Sequence, residues 1–142
     1  MDRYLMLYPV FAMVALTAIV WVSMYVTRLC EIRNKRIPAQ KLATRSGAGQ
    51  ILKNVAGPSD NLLNLFELPV LFYVLMVLLF ITDHGDGIYL MLAWGYVLLR
   101  VAHSFIHCTY NCVLHRFSVY LASSLVLWAM WAGLAWQVLG GA

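Results

Sequence analysis

The sequence contains few charged residues and few cysteines. Only 11% of its 142 residues are charged and 63% are hydrophobic, whereas a soluble domain carries about 25% charged and about 45–50% apolar residues. A soluble domain of this length has no interior large enough for so much apolar sequence, and disorder is excluded for the same reason. The three cysteines have no framework spacing, which argues against a disulfide scaffold. The low fraction of charged residues therefore predicts a membrane protein.

The apolar residues form four runs, each long enough to cross a hydrocarbon core, which needs about 20 helical residues. The predicted helices cover about residues 4–28, 60–82, 87–109 and 116–139. The links between the last three are short, so these helices are predicted to be antiparallel neighbours. The sequence therefore predicts an all-α fold, an integral membrane four-helix bundle that forms a single transmembrane domain.

The positive charge is concentrated in the connection between the first two helices, at about residues 29–59. The basic residues in or beside it are Arg28, Arg33, Lys35, Arg36, Lys41, Arg45 and Lys53. The next turn carries Asp83 and Asp86 and no basic residue, so the positive-inside rule predicts a cytoplasmic loop and two non-cytoplasmic termini. We expect a multi-pass protein of the cell inner membrane and no nucleic-acid partner. A loop that serves only orientation and lipid headgroup contact is the simpler alternative.

Ionisable residues inside a span are costly and are usually functional or paired. The polar residues at helical spacing are Asp60, Asn64 and Glu67 on the second helix, Arg100, His103, His107 and Asn111 on the third, and Arg116 and Tyr120 on the fourth. At 1.5 Å per residue, Glu67 lies about 10 Å and Arg100 about 12 Å from the cytoplasmic end of its helix. The three polar faces are therefore predicted to converge on one pocket open to the cytoplasm. An ion path across the bilayer is disfavoured because the far half is nearly all apolar.

Several of these residues also have a purely structural interpretation. Glu67 and Arg100 can form a buried ion pair that only fixes the helix register. Pro69 is expected to kink the second helix beside the polar face, although membrane helices also tolerate proline. No metal site is expected, because neither a C-x-x-C nor an H-E-x-x-H pattern is present.

The order of these residues resembles a known family. The segment Asn64-Leu65-Phe66-Glu67 is similar to the N-x-x-E signature of the MAPEG family, the membrane-associated proteins in eicosanoid and glutathione metabolism. Arg100 and His103 on the third helix, followed by Arg116 and Tyr120 on the fourth, resemble the rest of its pattern. The resemblance covers essentially the whole chain. It implies a homotrimer of four-helix bundles that binds glutathione between subunits near the cytosolic side.

The resemblance also implies roles for individual residues. Arg116 and Tyr120 match catalytic residues, with Arg116 holding the glutathione thiolate. The residues that match glutathione contacts are Asn64, Glu67, Arg100, His103 and His107, with one helix 1 arginine, either Arg28 or Arg33. Three positions depart from the family pattern: Asp60 replaces a frequent arginine, His107 a frequent tyrosine, and Phe117 a serine found in some relatives.

These expectations describe a membrane-embedded, glutathione-dependent enzyme of transferase or peroxidase type. A thiol with a pKa of about 8.5 must ionise before it attacks, and a guanidinium in a low-dielectric pocket favours that ionisation. The co-substrate would be a hydrophobic electrophile that arrives from membrane lipid. The alternative is a non-catalytic trimeric membrane protein that binds a lipid or a partner in the same inter-subunit groove.

Overall fold

The computed structural model describes residues 3–140, apart from the side chains of residues 3, 39, 45 and 46. Within this range every regular element is helical. The helices are α1 (Leu7–Asn34), α2 (Arg45–Ile51), α3 (Gly57–Leu65), α4 (Leu68–Thr82), α5 (Gly87–Cys108) and α6 (Val113–Gly140). Four segments of the described chain are long and apolar enough to span a membrane: Tyr4–Asn34, Gly57–Thr82, Gly87–Cys108 and Val113–Gly140. The predicted all-α fold with four spans is therefore confirmed.

The first helix extends beyond its predicted end at about residue 28 and continues to Asn34. Its last turn contains the basic residue Arg33. A cation near the C-terminus of a helix is favourable, so the basic residues do not end α1. The helix ends where Arg36 adopts a left-handed backbone with φ of 47°, two residues before Pro38, which cannot continue a helix. Arg33, which the predicted bounds placed in the loop, consequently lies on α1 together with Arg28.

The basic connection is partly helical and not an irregular linker throughout. The 3₁₀ turns Ala39–Leu42 and Lys53–Val55 flank the short helix α2. The hydroxyl of Thr44 caps this helix by accepting a hydrogen bond of 3.1 Å from the backbone N–H of Gly47. The connection therefore packs as ordered turns at the ends of the spans.

The second span is broken in the middle of its polar face. Helix α3 ends at Leu65 and α4 begins at Leu68, and Glu67 between them has a non-helical backbone with φ of −96° and ψ of −106°. Pro69 explains the break, because it has no N–H for the carbonyl of Leu65 and its ring clashes with that carbonyl. The sequence predicted a kink here, and the structure contains a complete interruption.

The helices pack around an apolar core that all four spans share. Fully buried core residues include Met13 of α1, Phe72 and Met76 of α4, Ala93 and Tyr96 of α5, and Leu127 and Met130 of α6. The rings of Phe72 and Tyr96 stack with centroids 4.6 Å apart. Many large apolar side chains remain exposed on the outside of the bundle, such as Ile19, Leu98 and Leu125, as expected for helices that face lipid.

Short turns fix the order of the last three helices. Asp83 ends α4 in a left-handed conformation with φ of 56°. Asp86 then caps α5, because its Oδ1 accepts hydrogen bonds of 2.9 Å from the backbone N–H groups of Ile88 and Tyr89. At the other end of α5, Asn111 has a φ of 46° and reverses the chain into α6. This reversal brings the polar start of α6 beside the polar end of α5.

Candidate functional site

The polar residues of three helices surround one cavity of about 240 Å³, which we call the site cavity. It lies beside the break in the second span. The side chains that line it are Asn64, Glu67, His103, Val113, Arg116, Phe117 and Tyr120. Five of the nine residues that the sequence predicts as site residues therefore line a single cavity.

Arg100 lies behind the site cavity and is fully buried. Its Nη2 donates a hydrogen bond of 2.9 Å to the backbone carbonyl of Asn64, and its guanidinium carbon lies 5.4 Å from the ring centroid of Tyr120. The last carbonyls of a helix have no N–H donor within the helix, so Arg100 donates to a carbonyl that the broken end of α3 leaves without one. Arg100 therefore links the break to α6.

The ion pair suggested for Glu67 and Arg100 is not formed in the described part of the chain, where the salt bridge is that of Glu31 with Lys35. Glu67 is instead exposed on the surface of the protomer, at the rim of the site cavity. The Nε and Nη1 groups of Arg100 are buried without a hydrogen-bond partner among the described residues. The two charges therefore do not pair with each other in the protomer.

Arg116 is half-buried in the first turn of α6 and is held at one edge. Its Nη1 donates a hydrogen bond of 2.8 Å to Oδ1 of Asn111 in the α5–α6 turn. Asn111 is suited to this place because asparagine tolerates a left-handed backbone. One edge of the guanidinium is therefore fixed while the group lines the site cavity. Helical spacing does not predict this contact, because it depends on where α5 ends.

The aromatic side chains of the site form a row. The ring of His103 lies 5.7 Å from the ring of Tyr120 and 5.6 Å from the ring of His107, measured between centroids. His107 does not line the site cavity. It lines a second cavity of about 480 Å³, which we call the helix-end cavity, together with Asp60, Lys53 and Asn111. The two histidines therefore lie between two cavities.

The MAPEG family model matches residues 6–136 of the 142 residues. The chain belongs to the MAPEG family. No curated protein and no solved structure matches it significantly. The resemblance inferred from the sequence is confirmed, and with its four apolar spans this MAPEG protein is an integral multi-pass membrane protein of the glutathione and eicosanoid metabolism family.

The two helix 1 arginines of this MAPEG protein have different surroundings. Arg28 donates from Nη2 to Oγ of Ser59 at 2.7 Å, and it lines a third cavity of about 390 Å³ together with Thr44 and Asp60. Arg33 is exposed in the last turn of α1. The structure thus connects Arg28, and not Arg33, to the helix that carries Asn64.

Proposed function

We propose that this MAPEG protein is a glutathione-dependent membrane enzyme of transferase or peroxidase type. The observation that carries the proposal is the position of Arg116, a half-buried cation fixed at one edge by Asn111 beside a cavity that also contains Glu67 and Asn64. A single cation in such a place suits a ligand atom that becomes negative during the reaction, as a thiol sulfur does.

The charges around the site cavity complement those of glutathione, which carries two carboxylates and one ammonium group. The Glu67 carboxylate suits the ammonium and the amide of Asn64 suits the peptide. The buried guanidinium of Arg100 behind the cavity adds positive charge that favours a carboxylate. Arg116 would stabilise the thiolate and Tyr120 would donate a hydrogen bond to it. The thiolate sulfur then attacks the electrophile, forms a C–S bond and displaces the leaving group with its electron pair.

We further propose that the working unit is a homotrimer with sites between subunits. Glu67 follows Asp60 by seven residues along the second span, which corresponds to about 10 Å at the helical rise. Its exposed carboxylate cannot face lipid at that depth without a large cost. The site cavity of about 240 Å³ is also smaller than the roughly 300–1,000 Å³ of ordinary ligand pockets. A second subunit that covers Glu67 would remove the cost and enlarge the pocket. Native mass spectrometry in detergent tests this with the expected mass of three chains.

The orientation of the protein in the membrane belongs to the same proposal. The basic α1–α3 connection faces the cytoplasm of a cell inner membrane and both termini lie on the other side, since Lys and Arg accumulate in cytoplasmic loops. The site cavity then opens towards the compartment that contains glutathione. Hydrophobic co-substrates would enter laterally from membrane lipid.

A non-catalytic lipid-binding protein is the second candidate, and one feature favours it. An apolar groove of about 440 Å³ runs between α1 and the broken second span, and its lining includes Trp21, Leu65, Phe66 and Tyr73. A groove of this composition suits an acyl chain. It could hold lipid in a protein that performs no chemistry.

Two measurements on the purified protein in detergent separate the candidates. The first is the consumption of glutathione thiol in the presence of 1-chloro-2,4-dinitrobenzene, and the second is the melting temperature with and without glutathione. A ligand at 100 times its Kd stabilises the folded state by about 2.7 kcal/mol. Turnover together with stabilisation supports the enzyme, whereas stabilisation without turnover supports the binding protein. The absence of both turnover and stabilisation would overturn the proposed glutathione site.

A further inference from the structure

His103 and His107 connect two cavities that are otherwise separated by α5. His103 lines the site cavity, and His107, one helical turn later, lines the helix-end cavity. The helix-end cavity lies at the end of the spans, where Lys53, Thr109 and Asn111 are exposed. The histidine pair therefore extends from the place of the proposed chemistry to the surface of the protein.

Both imidazoles have unused hydrogen-bonding capacity. The side chains of His103 and His107 are almost completely buried, and neither Nδ1 atom has a hydrogen-bond partner among the described residues. The rings of Tyr120, His103 and His107 follow one another at centroid distances of 5.7 and 5.6 Å. At such separations a single water molecule bridges neighbouring polar atoms, and polar cavities of this size admit water.

We propose that His103 and His107 form a proton relay that carries the proton of the bound thiol out of the site cavity. The inference rests on the proposed glutathione chemistry. The S–H bond breaks, its electron pair stays on sulfur beside Arg116, and the proton passes to a neutral imidazole of His103. His107 receives it and releases it through the helix-end cavity to water, so both histidines end neutral.

The surrounding charges explain the direction of the relay. Arg116 stabilises a thiolate but is permanently protonated and cannot accept the proton. The charged groups that act on His107 are Arg100 and Arg116, on the side of the site cavity, and Asp60 from α3. Both cations also act on His103, so they oppose a lasting proton on either imidazole. At the helix-end cavity the exposed Asp60 and Lys53 carry opposite charges, so no net positive charge opposes the proton there. The field therefore favours outward transfer.

The test is a stopped-flow mixing of glutathione with the full-length protein in weakly buffered detergent solution. Thiolate formation is followed by its ultraviolet absorbance and proton release by a pH indicator dye. For His107→Ala we expect both rates to fall about tenfold or more, as is common when a positioned proton acceptor is lost. With glutathione saturating for each variant, the final thiolate amplitude should stay unchanged, because His107 does not line the site cavity. Added imidazole, which can enter the widened helix-end cavity, should restore the rates.

Two further variants control the experiment. His107→Asn keeps a polar side chain that cannot relay a proton, and it should be as slow as His107→Ala if folding is intact by thermal melting. His84→Ala removes an exposed histidine from the α4–α5 turn and should have wild-type rates. Wild-type rates in His107→Ala, or slow rates that imidazole does not restore, overturn the relay. The absence of any thiolate signal in the wild-type protein overturns the proposed function itself.

Discussion

The replacement of Arg116 by alanine tests the proposed chemistry most directly. A unit charge about 4 Å from a thiolate stabilises it by about 4 kcal/mol at an effective dielectric constant of about 20. Arg116 is only half-buried and shares its guanidinium with Asn111, so solvent reduces this value. An opposite charge at this range lowers a pKa by about 1–3 units, and the exposure of Arg116 favours the lower half of that range.

The expected loss depends on pH. A free thiol with a pKa of about 8.5 is only a few per cent ionised at neutral pH, so Arg116→Ala should reduce glutathione conjugation there by about 10–100-fold, at about 1.4 kcal/mol per factor of ten. The deficit should shrink as the pH rises above the pKa of the free thiol, because hydroxide then performs the ionisation. Arg116→Lys should retain part of the activity, since the charge survives without the planar fork.

The assay is the pH profile of conjugation at saturating glutathione, with the trimer content and glutathione affinity of each variant measured in parallel. A loss that is equal at every pH would show that Arg116 does not act through thiol ionisation. Wild-type turnover in Arg116→Ala would show that this residue only anchors α6 at the lipid headgroups, and the catalytic role would pass to Tyr120.

Three other changes test separate parts of the structure. Asn111→Ala should lower the conjugation rate less than Arg116→Ala does, because the guanidinium loses its support but keeps its charge; an unchanged rate would mean that the hydrogen bond does not position Arg116. Asp86→Ala should cost about 1 kcal/mol of stability through the lost cap of α5, measured by thermal unfolding, with conjugation unaffected in the folded protein. A cysteine in place of Gly49, where a Cβ meets no atom within 4 Å, should resist an impermeant thiol reagent in intact cells and react after permeabilisation. Labelling of this cysteine in intact cells would contradict the proposed topology.

The sequence was sufficient to predict the four spans and the faces that carry the polar residues, because both follow from regular patterns along the chain. Four apolar runs require four membrane-crossing helices, and helical spacing places Asn64 with Glu67 and His103 with Arg100 on common faces. These regularities do not depend on the detailed packing of side chains.

Local backbone geometry limited the prediction elsewhere. Spacing placed Asn111 on the same helical face as Arg100 and His103, but α5 ends at Cys108 and Asn111 turns back to hold Arg116. Spacing also predicted that His107 and His103 line the same pocket. The two residues are one helical turn apart, and they line two different cavities. Such details depend on where a helix stops, which a periodic pattern does not encode.

The break between α3 and α4 also changes the electrostatics of the membrane interior. A helix end carries about half an elementary charge, negative at the C-terminus and positive at the N-terminus. Arg100 donates to a carbonyl at the C-terminal end of α3, while Glu67 occupies the N-cap position of α4. Each charged residue therefore lies at a helix end whose dipole has the opposite sign. Two opposite charges can consequently be kept at membrane depth without neutralising one another, and the interrupted helix maintains a polarised site before any ligand arrives.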